Sequence, residues 1–240
     1  MERFFCPASN ISPPVLRFPP EETQHLMRVL RHRVGDLVEV TDGQGAVHTV
    51  RLRRLLGPEA EGEILETRRD LGEPPYELSL AVGVLKQEER FAWLVEKATE
   101  LGVRRIVPLR TRRSERQQIR PERLKRVAIA ALKQSGRSRL PELWPLTPFE
   151  RWLERDRSRW RYIAHGPGFE FPSLGRLLPL PLPQGATLSV LIGPEGGFTP
   201  EEFNQACAHR VTPCGLGPRR LRTETAALVV ASLLLGASRD

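Results

Sequence analysis

The chain is poor in the residues that would staple it or hold a metal. Three cysteines occur in 240 residues, Cys6, Cys207 and Cys214. They show no C-x-x-C spacing and no paired framework, which excludes a disulfide scaffold and a cysteine-rich zinc site. The five histidines, His25, His32, His48, His165 and His209, are scattered, so no metal is expected. Long apolar runs are missing too. The most apolar stretch, Ala226 to Ala237, is too short to span a bilayer and reads as a buried helix. Met1 to Pro7 carries no apolar core of signal-peptide length. These absences predict a soluble, cytoplasmic protein with reduced thiols and no membrane partner. Phosphate signatures are also lacking: no G-x-G-x-x-G follows a strand pattern and no G-K-[ST] occurs, which disfavours a nucleotide-phosphate enzyme.

Lysine is scarce. With four lysines among 37 basic residues, 33 are arginine, and the formal net charge is +8. Arginine makes forked contacts to phosphate and stacks on bases, so the excess favours a polyanionic partner, nucleic acid first. The competing explanation is a compositional bias or a heat-adapted surface in a chain that also carries 22 prolines.

Two glycine- and proline-bearing loops near the C-terminus carry most of the information. The first is Ile192-Gly193-Pro194-Glu195-Gly196-Gly197-Phe198-Thr199, and the second runs from Gly215 to Thr225 through Leu216-Gly217-Pro218-Arg219-Arg220-Leu221-Arg222. Each follows a short apolar run and precedes a helical pattern, which places both at the carboxyl ends of strands in an open α/β sheet, where such folds bind ligands. Glycine lets backbone approach a ligand closely. Thr199, Pro200 and Glu202 then read as N-cap, first and third helical positions, so the N–H groups there are already capped and the loop is a poor phosphate cradle. A plain strand-to-helix turn is the simplest reading of one Gly-Gly; two stiffened loops so close together point to two walls of one pocket.

The chain divides by pattern. Residues 1–70 combine a short helix, Glu21 to Arg31, with alternating runs at Leu37 to Val40, Val47 to Leu52 and Gly62 to Leu65, the first two joined by the hairpin signal Asp42-Gly43-Gln44-Gly45. This predicts a small β-barrel-like domain, followed by a linker from Arg68 to Pro75. Residues 76–240 alternate strand and helix: strands at Leu78 to Leu85, Arg105 to Leu109, Arg161 to Ala164, Thr187 to Ile192 and Val211 to Cys214, helices at Glu88 to Leu101, Pro121 to Gln134 and Glu224 to Leu235. That alternation predicts a parallel sheet covered on both faces. Pro179 to Pro183 reads as a surface loop.

On these residues the chain resembles the RsmE family, SPOUT-class enzymes that methylate N3 of a uridine in small-subunit (16S) ribosomal RNA. The two loops carry the resemblance, and Lys97 to Val103, Gln134-Ser135-Gly136-Arg137 and His25 to Arg31 with Gly35-Asp36 extend it over essentially the whole chain. Lys133 departs from the family, where an acidic residue is common. The resemblance implies a PUA-like RNA-binding barrel followed by a SPOUT domain with a C-terminal trefoil knot, a homodimer, and S-adenosylmethionine as cofactor. It implies that the cofactor is held by the segment His165-Gly166-Pro167, by Ile192, Gly193, Pro194, Glu195 and Gly196, and by Leu216, Gly217, Leu221 and Arg222.

Uridine N3 is protonated at neutral pH, and the anion left after deprotonation spreads its charge over two flanking carbonyls. A positioned cation would stabilise that charge. Arg222 is the first candidate, beside Arg219 and Arg220, with a phosphate contact or a pair to Glu224 as its alternative role. Glu224 or Glu195 is the candidate proton acceptor, against simpler roles as a residue complementing the helix dipole and a loop-organising acceptor. Lys97 and Glu100 read as a surface pair. Arg28, Arg31, Arg33, Gln134, Arg137 and Arg219 are the candidate RNA contacts, phosphate contacts fixing position rather than sequence; a solvated basic face is the alternative for Arg28, Arg31 and Arg33, and a contact to the partner subunit for Gln134 and Arg137. The alternatives are a methyltransferase acting on another RNA atom and a non-catalytic RNA-binding assembly factor that kept the fold.

Overall fold

A computed structural model describes residues 3–56, 59–166, 171–178 and 182–236. The chain forms two compact units, Met1–Glu73 with Ile129–Leu140, and Pro74–Ala128 with Pro141–Asp240.

The first unit is built on a six-stranded sheet: β1 (Arg3–Phe5), β2 (Ile11–Ser12), β3 (Val15–Arg17), β4 (Leu37–Thr41), β5 (Ala46–Leu56) and β6 (Glu59–Arg69), in the order β1-β4-β5-β6-β3-β2. Only β1–β4 is parallel; the remaining pairs are antiparallel. Alternation drives it. Val38 and Val40 of β4 and Val50 and Leu52 of β5 point into a core completed by Phe4, Leu16, Phe18 and Leu26, while Arg51 and Arg53 face water. The β4–β5 hairpin turns where the sequence signalled it. Asp42 Oδ1 accepts from the N–H groups of Gln44 (2.7 Å) and Ala46 (3.0 Å), and Gly43 and Gly45 take positive φ. The expected helix at Glu21 to Arg31 is α1 (Pro20–Gln24) continued by a π-helical turn, His25–Val29. Strand β6 runs on to Arg69, so the expected linker is shorter at its start than its polar composition suggested.

The second unit carries an all-parallel sheet. Its strands are β7 (Glu77–Gly83), β8 (Arg105–Arg110), β9 (Glu142–Leu143), β10 (Thr147–Pro148), β11 (Trp160–Ala164), β12 (Thr187–Ile192) and β13 (Thr212–Cys214). They lie in the order β10-β8-β7-β12-β11-β13, with β9 beside the start of β8. Residues 78–83 of β7 are all buried, as expected for a central strand covered on both faces. The helices are α2 (Glu88–Glu100), α3 (Pro121–Ser135, whose second half belongs to the first unit), α4 (Phe149–Arg155), α5 (Leu174–Leu177), α6 (Pro200–Ala208) and α7 (Thr223–Leu235). Helix α2 packs against α7, and its buried apolar residues include Phe91, Leu94, Val95 and Ala98. Gly102 ends α2 with φ +99°, where a Cβ would meet Pro74 at 2.6 Å. The short pieces β1–β3, β9, β10, α4 and α5 lacked a readable period in the sequence. No helix among the described residues is long and apolar enough to cross a membrane.

Candidate functional site

Strand β11 lies between β12 and β13, so their carboxyl ends deliver three segments to one place: Ala164-His165-Gly166, Ile192 to Phe198, and Leu216 to Thr223. Between them lies a cavity of about 810 Å³, closed on other sides by Gln87 and Arg90 at the start of α2 and by Arg113 beyond β8.

The first loop is fixed from within and from behind. The N–H of Gly197 donates to the Pro194 carbonyl at 2.8 Å. A Cβ on Gly193 would stand 2.9 Å from the Gly197 backbone, and one on Gly83 would stand 2.4 Å from Pro194, so glycine at both positions lets the loop fold tightly onto the end of β7. Arg113 Nη1 donates to the Gly196 (2.8 Å) and Phe198 (3.3 Å) carbonyls. Phe198 then buries its ring against Phe149, with centroids 5.4 Å apart. The helix start beyond is the expected capping box: the Glu202 N–H donates to Thr199 Oγ1 (3.2 Å) and the Thr199 N–H to Glu202 Oε2 (2.9 Å).

The second loop is tied to the first. Thr223 Oγ1 donates to the Gly193 carbonyl at 2.9 Å. The His165 N–H donates to the Cys214 carbonyl at 3.2 Å, and the His165 ring lies 4.3 Å from that of Phe203 on α6. Burial pushes the Cys214 thiol up to about 12.

A third connection was not legible in the sequence. The Arg90 guanidinium donates through Nε and Nη2 to Glu224, at 3.0, 2.8 and 2.6 Å, and through Nη1 to Glu195 Oε1 at 3.3 Å. One arginine therefore spans a carboxylate from each loop region. The hydrogen bonds to Glu224 raise the Arg90 pKa further above its ordinary value. Among the described residues, Arg90, Arg113, Arg219, Arg220 and Arg222 line the cavity against one lining carboxylate, Glu195.

The expected cofactor residues all meet here. His165, Gly166, Ile192, Gly193, Pro194, Glu195, Gly196, Leu216, Gly217, Leu221 and Arg222 line this one cavity, and Pro167 lies outside the described residues. Arg219 lines it as well. Glu224 does not; it is 6% exposed and engaged by the Arg90 fork, behind the cavity lining. Arg222 is exposed on the cavity wall and is not the partner of Glu224.

The other expected RNA contacts belong to the first unit. Arg28, Arg31, Arg33 and Gln134 are exposed there. Arg137 is not: its side chain is 3% exposed and pairs with Glu73 at 2.6 Å. Glu73 also accepts from the N–H groups of Ser138 (3.0 Å) and Arg139 (2.8 Å). Arg137 is thus a buried loop-closing residue, and its expectation as an RNA contact is corrected. Lys133, the departure from the family pattern, pairs with Glu22 at 2.7 Å. Lys97 and Glu100 form the expected pair at 2.9 Å.

Gln87, Arg90 and Arg113 were missed. They follow β7 and β8, and the rule that singled out the loops after β12 and β13 applies to every strand of such a sheet.

Residues 72–235 match the RNA methyltransferase domain family. Ribosomal RNA small subunit methyltransferase E of Bacillus subtilis is 27% identical over 98% of this chain and 96% of its own. The crystal structure of a probable rRNA-methyltransferase from Porphyromonas gingivalis superposes with a TM-score of 0.88 at 30% identity, covering all of both chains. That of a ribosomal RNA small subunit methyltransferase E from Neisseria gonorrhoeae, bound to S-adenosyl methionine, superposes with a TM-score of 0.85 at 32% identity over 97% of this chain and 95% of that one.

Proposed function

Because the chain belongs to the RsmE family of RNA methyltransferases, we propose that it uses S-adenosylmethionine to methylate N3 of a specific uridine in 16S ribosomal RNA. The observation that carries this reading is the convergence of three strand-end segments on one cavity. Its volume, about 810 Å³, is in the range of small-molecule sites. A Cβ built on Gly197 or Gly217 meets nothing within 4 Å, so bare backbone borders open space at two points of the lining. His165, Gly166, Ile192 to Gly196, Leu216, Gly217, Leu221 and Arg222 would hold the cofactor, which when bound supplies an electrophilic methyl group on a sulfonium.

The chain's own contribution is positioning and charge. Methyl transfer depends on holding donor and acceptor in line, which loops tied at this many points can do. The substrate must lose its N3 proton, and Arg222, exposed and free of Glu224, would stabilise the charge that develops on the uracil carbonyls. With Glu224 engaged, the proton passes to water or to Glu195. Arg219 at the cavity mouth, and Arg28, Arg31, Arg33 and Gln134 on the first unit, anchor the RNA, chiefly through phosphates.

The finer architecture belongs to the same proposal. The antiparallel sheet of residues 1–70 is read as a PUA-like RNA-binding barrel. Residues 76–240 are read as a SPOUT domain with a trefoil knot, supported by β11 lying between two strands that follow it in the chain. The enzyme is read as a cytoplasmic homodimer. Val229 and Leu233, 37% and 39% exposed on one side of α7, are the apolar surface a second copy would cover.

The test is calorimetric titration with S-adenosylmethionine, followed by methyl transfer to 16S ribosomal RNA and mass spectrometry of the product nucleoside. Micromolar-range binding and 3-methyluridine are expected. Absence of binding by the folded protein would instead leave an RNA-binding assembly factor.

A further inference from the structure

We infer that Arg90 is a positioning residue that sets the distance between the two cofactor loops, holding the Glu195 side of one and the Glu224 side of the other on a single guanidinium. The inference rests on the proposed cofactor reading and adds a residue to it from outside both loops.

Three observations carry it. The first is topological. Arg90 sits in the first turn of α2, 105 residues before Glu195 and 134 before Glu224. Its side chain is the described ion-pair link between α2 and both loop regions. The second is geometric. Three contacts of 2.6 to 3.0 Å to Glu224 use the Nε/Nη2 edge of the fork and leave Nη1 for Glu195 at 3.3 Å. Only a planar fork offers donors on two edges at once; an ammonium on a flexible stem does not fix two partners in one plane. The third is the contrast in burial. The Glu224 side chain is 8% exposed, that of Arg90 is 26% exposed and that of Glu195 is 39% exposed. The strong end of the clamp is anchored in the fold beside α7, and the weaker end lies at the cavity lining.

Mechanically, Glu224 cannot move without α7, and α7 begins where the second loop ends. Glu195 sits at the turn closed by Gly197 and Pro194. The Thr223–Gly193 hydrogen bond joins the same two loops at their base. Arg90 therefore adds a second tie, two residues beyond Gly193 on the first loop and one residue beyond Thr223 in the first turn of α7, and two ties suppress the rocking that one permits. Lys86 reinforces the outer end, its backbone N–H reaching Glu195 Oε1 at 3.4 Å.

The decisive experiment compares Arg90→Lys, Arg90→Met and the double variant Arg90→Met/Glu224→Gln with the wild type. Three readouts are taken: thermal midpoint, cofactor dissociation constant by calorimetry, and amide hydrogen exchange of residues 193–197 and 216–222 in the ligand-free protein. Arg90→Met strands a buried carboxylate and lowers the midpoint; the double variant removes that charge and recovers it. If Arg90 positions the loops, cofactor binding stays weaker by roughly tenfold in the recovered double variant. Arg90→Lys keeps the midpoint but shows the same loss, and exchange quickens in both loops. If Arg90 only stabilises the fold, affinity and exchange return to wild-type values together with the midpoint, and the inference is overturned. Failure of the wild type to bind S-adenosylmethionine would sink the proposed function instead, and the exchange comparison would still decide what Arg90 does.

Discussion

Two arginine–carboxylate clusters, one in each compact unit, are made from the same chemistry and differ in where they leave their charge. In the first unit, Arg137 and Glu73 lie almost wholly out of solvent, and Glu73 fills its remaining capacity with the backbone of Ser138 and Arg139. In the second, Arg90 is a quarter exposed, borders the cavity, and divides itself between a buried carboxylate and a half-exposed one. Both arginines are paired, but only the second is paired with groups that belong to a binding site. A buried pair closes a loop; one with an open side can hold a site in shape.

That contrast can be broken most forcefully at its closed end. Arg137→Met leaves Glu73 buried beside two backbone donors without its cation, and a loss of about 3–5 kcal/mol of stability is expected for breaking such a pair, read from denaturant unfolding. A change near zero would show that Glu73 is satisfied by the backbone alone. At the open end, Arg222→Met is expected to lower kcat by about 10²–10³, the usual effect of removing one charge-stabilising donor, over and above any loss of cofactor affinity measured by calorimetry. A loss confined to affinity would leave Arg222 a cofactor ligand alone. Gly217→Val is expected to weaken cofactor binding with about 1–2 kcal/mol of backbone strain, because the residue sits at φ +103° beside open space; unchanged binding would remove the second loop from the pocket.

Smaller effects sharpen the same comparison. Replacing Arg28, Arg31 and Arg33 together by Ala is expected to reduce the salt dependence of RNA binding by about 0.7–0.9 in log–log slope for each phosphate left without its arginine, with cofactor affinity unchanged. Glu39 offers the mildest test. Burial pushes its carboxyl up, but hydrogen bonds and charge from Arg3 and Arg68 outweigh that and hold it below the ordinary 4.5. Since the folded value is the lower one, the pair stabilises above the unfolded pKa and the gain is lost as pH falls through the folded one. Thermal midpoints taken from pH 6 downward should therefore drop more steeply below about 4.5 in the wild type than in Glu39→Gln; parallel curves would show that Glu39 contributes nothing to the acid sensitivity.

How far the sequence could be read follows from the range of each interaction. Helix α2 repeats an apolar period long enough to see, helix α7 and strands β7 and β12 are apolar runs long enough to see, and the turn at Asp42 to Gly45 and the cap at Thr199 are chemical signals confined to a few residues. The two loops that wall the cavity were legible because glycine, proline and their spacing are local consequences of loops at strand ends, and the family resemblance named the eleven expected cofactor residues in its lining. Arg90 was not, since its meaning lies in partners 105 and 134 residues away. Arg137 misled for the same reason: beside Gln134, nothing nearby distinguishes a guanidinium facing RNA from one sealed against Glu73. Strands β1 to β3 are too short to carry a period at all.

Cys214 ends the strand that feeds the second loop, and its carbonyl steadies His165 at the cavity wall. A thiolate in that neighbourhood would be a competing nucleophile in a protein whose trade is handling an activated methyl group. Holding the thiol at a pKa of about 12 keeps it protonated throughout the physiological range. The apolar packing that builds the strand thereby also protects the protein from alkylating itself.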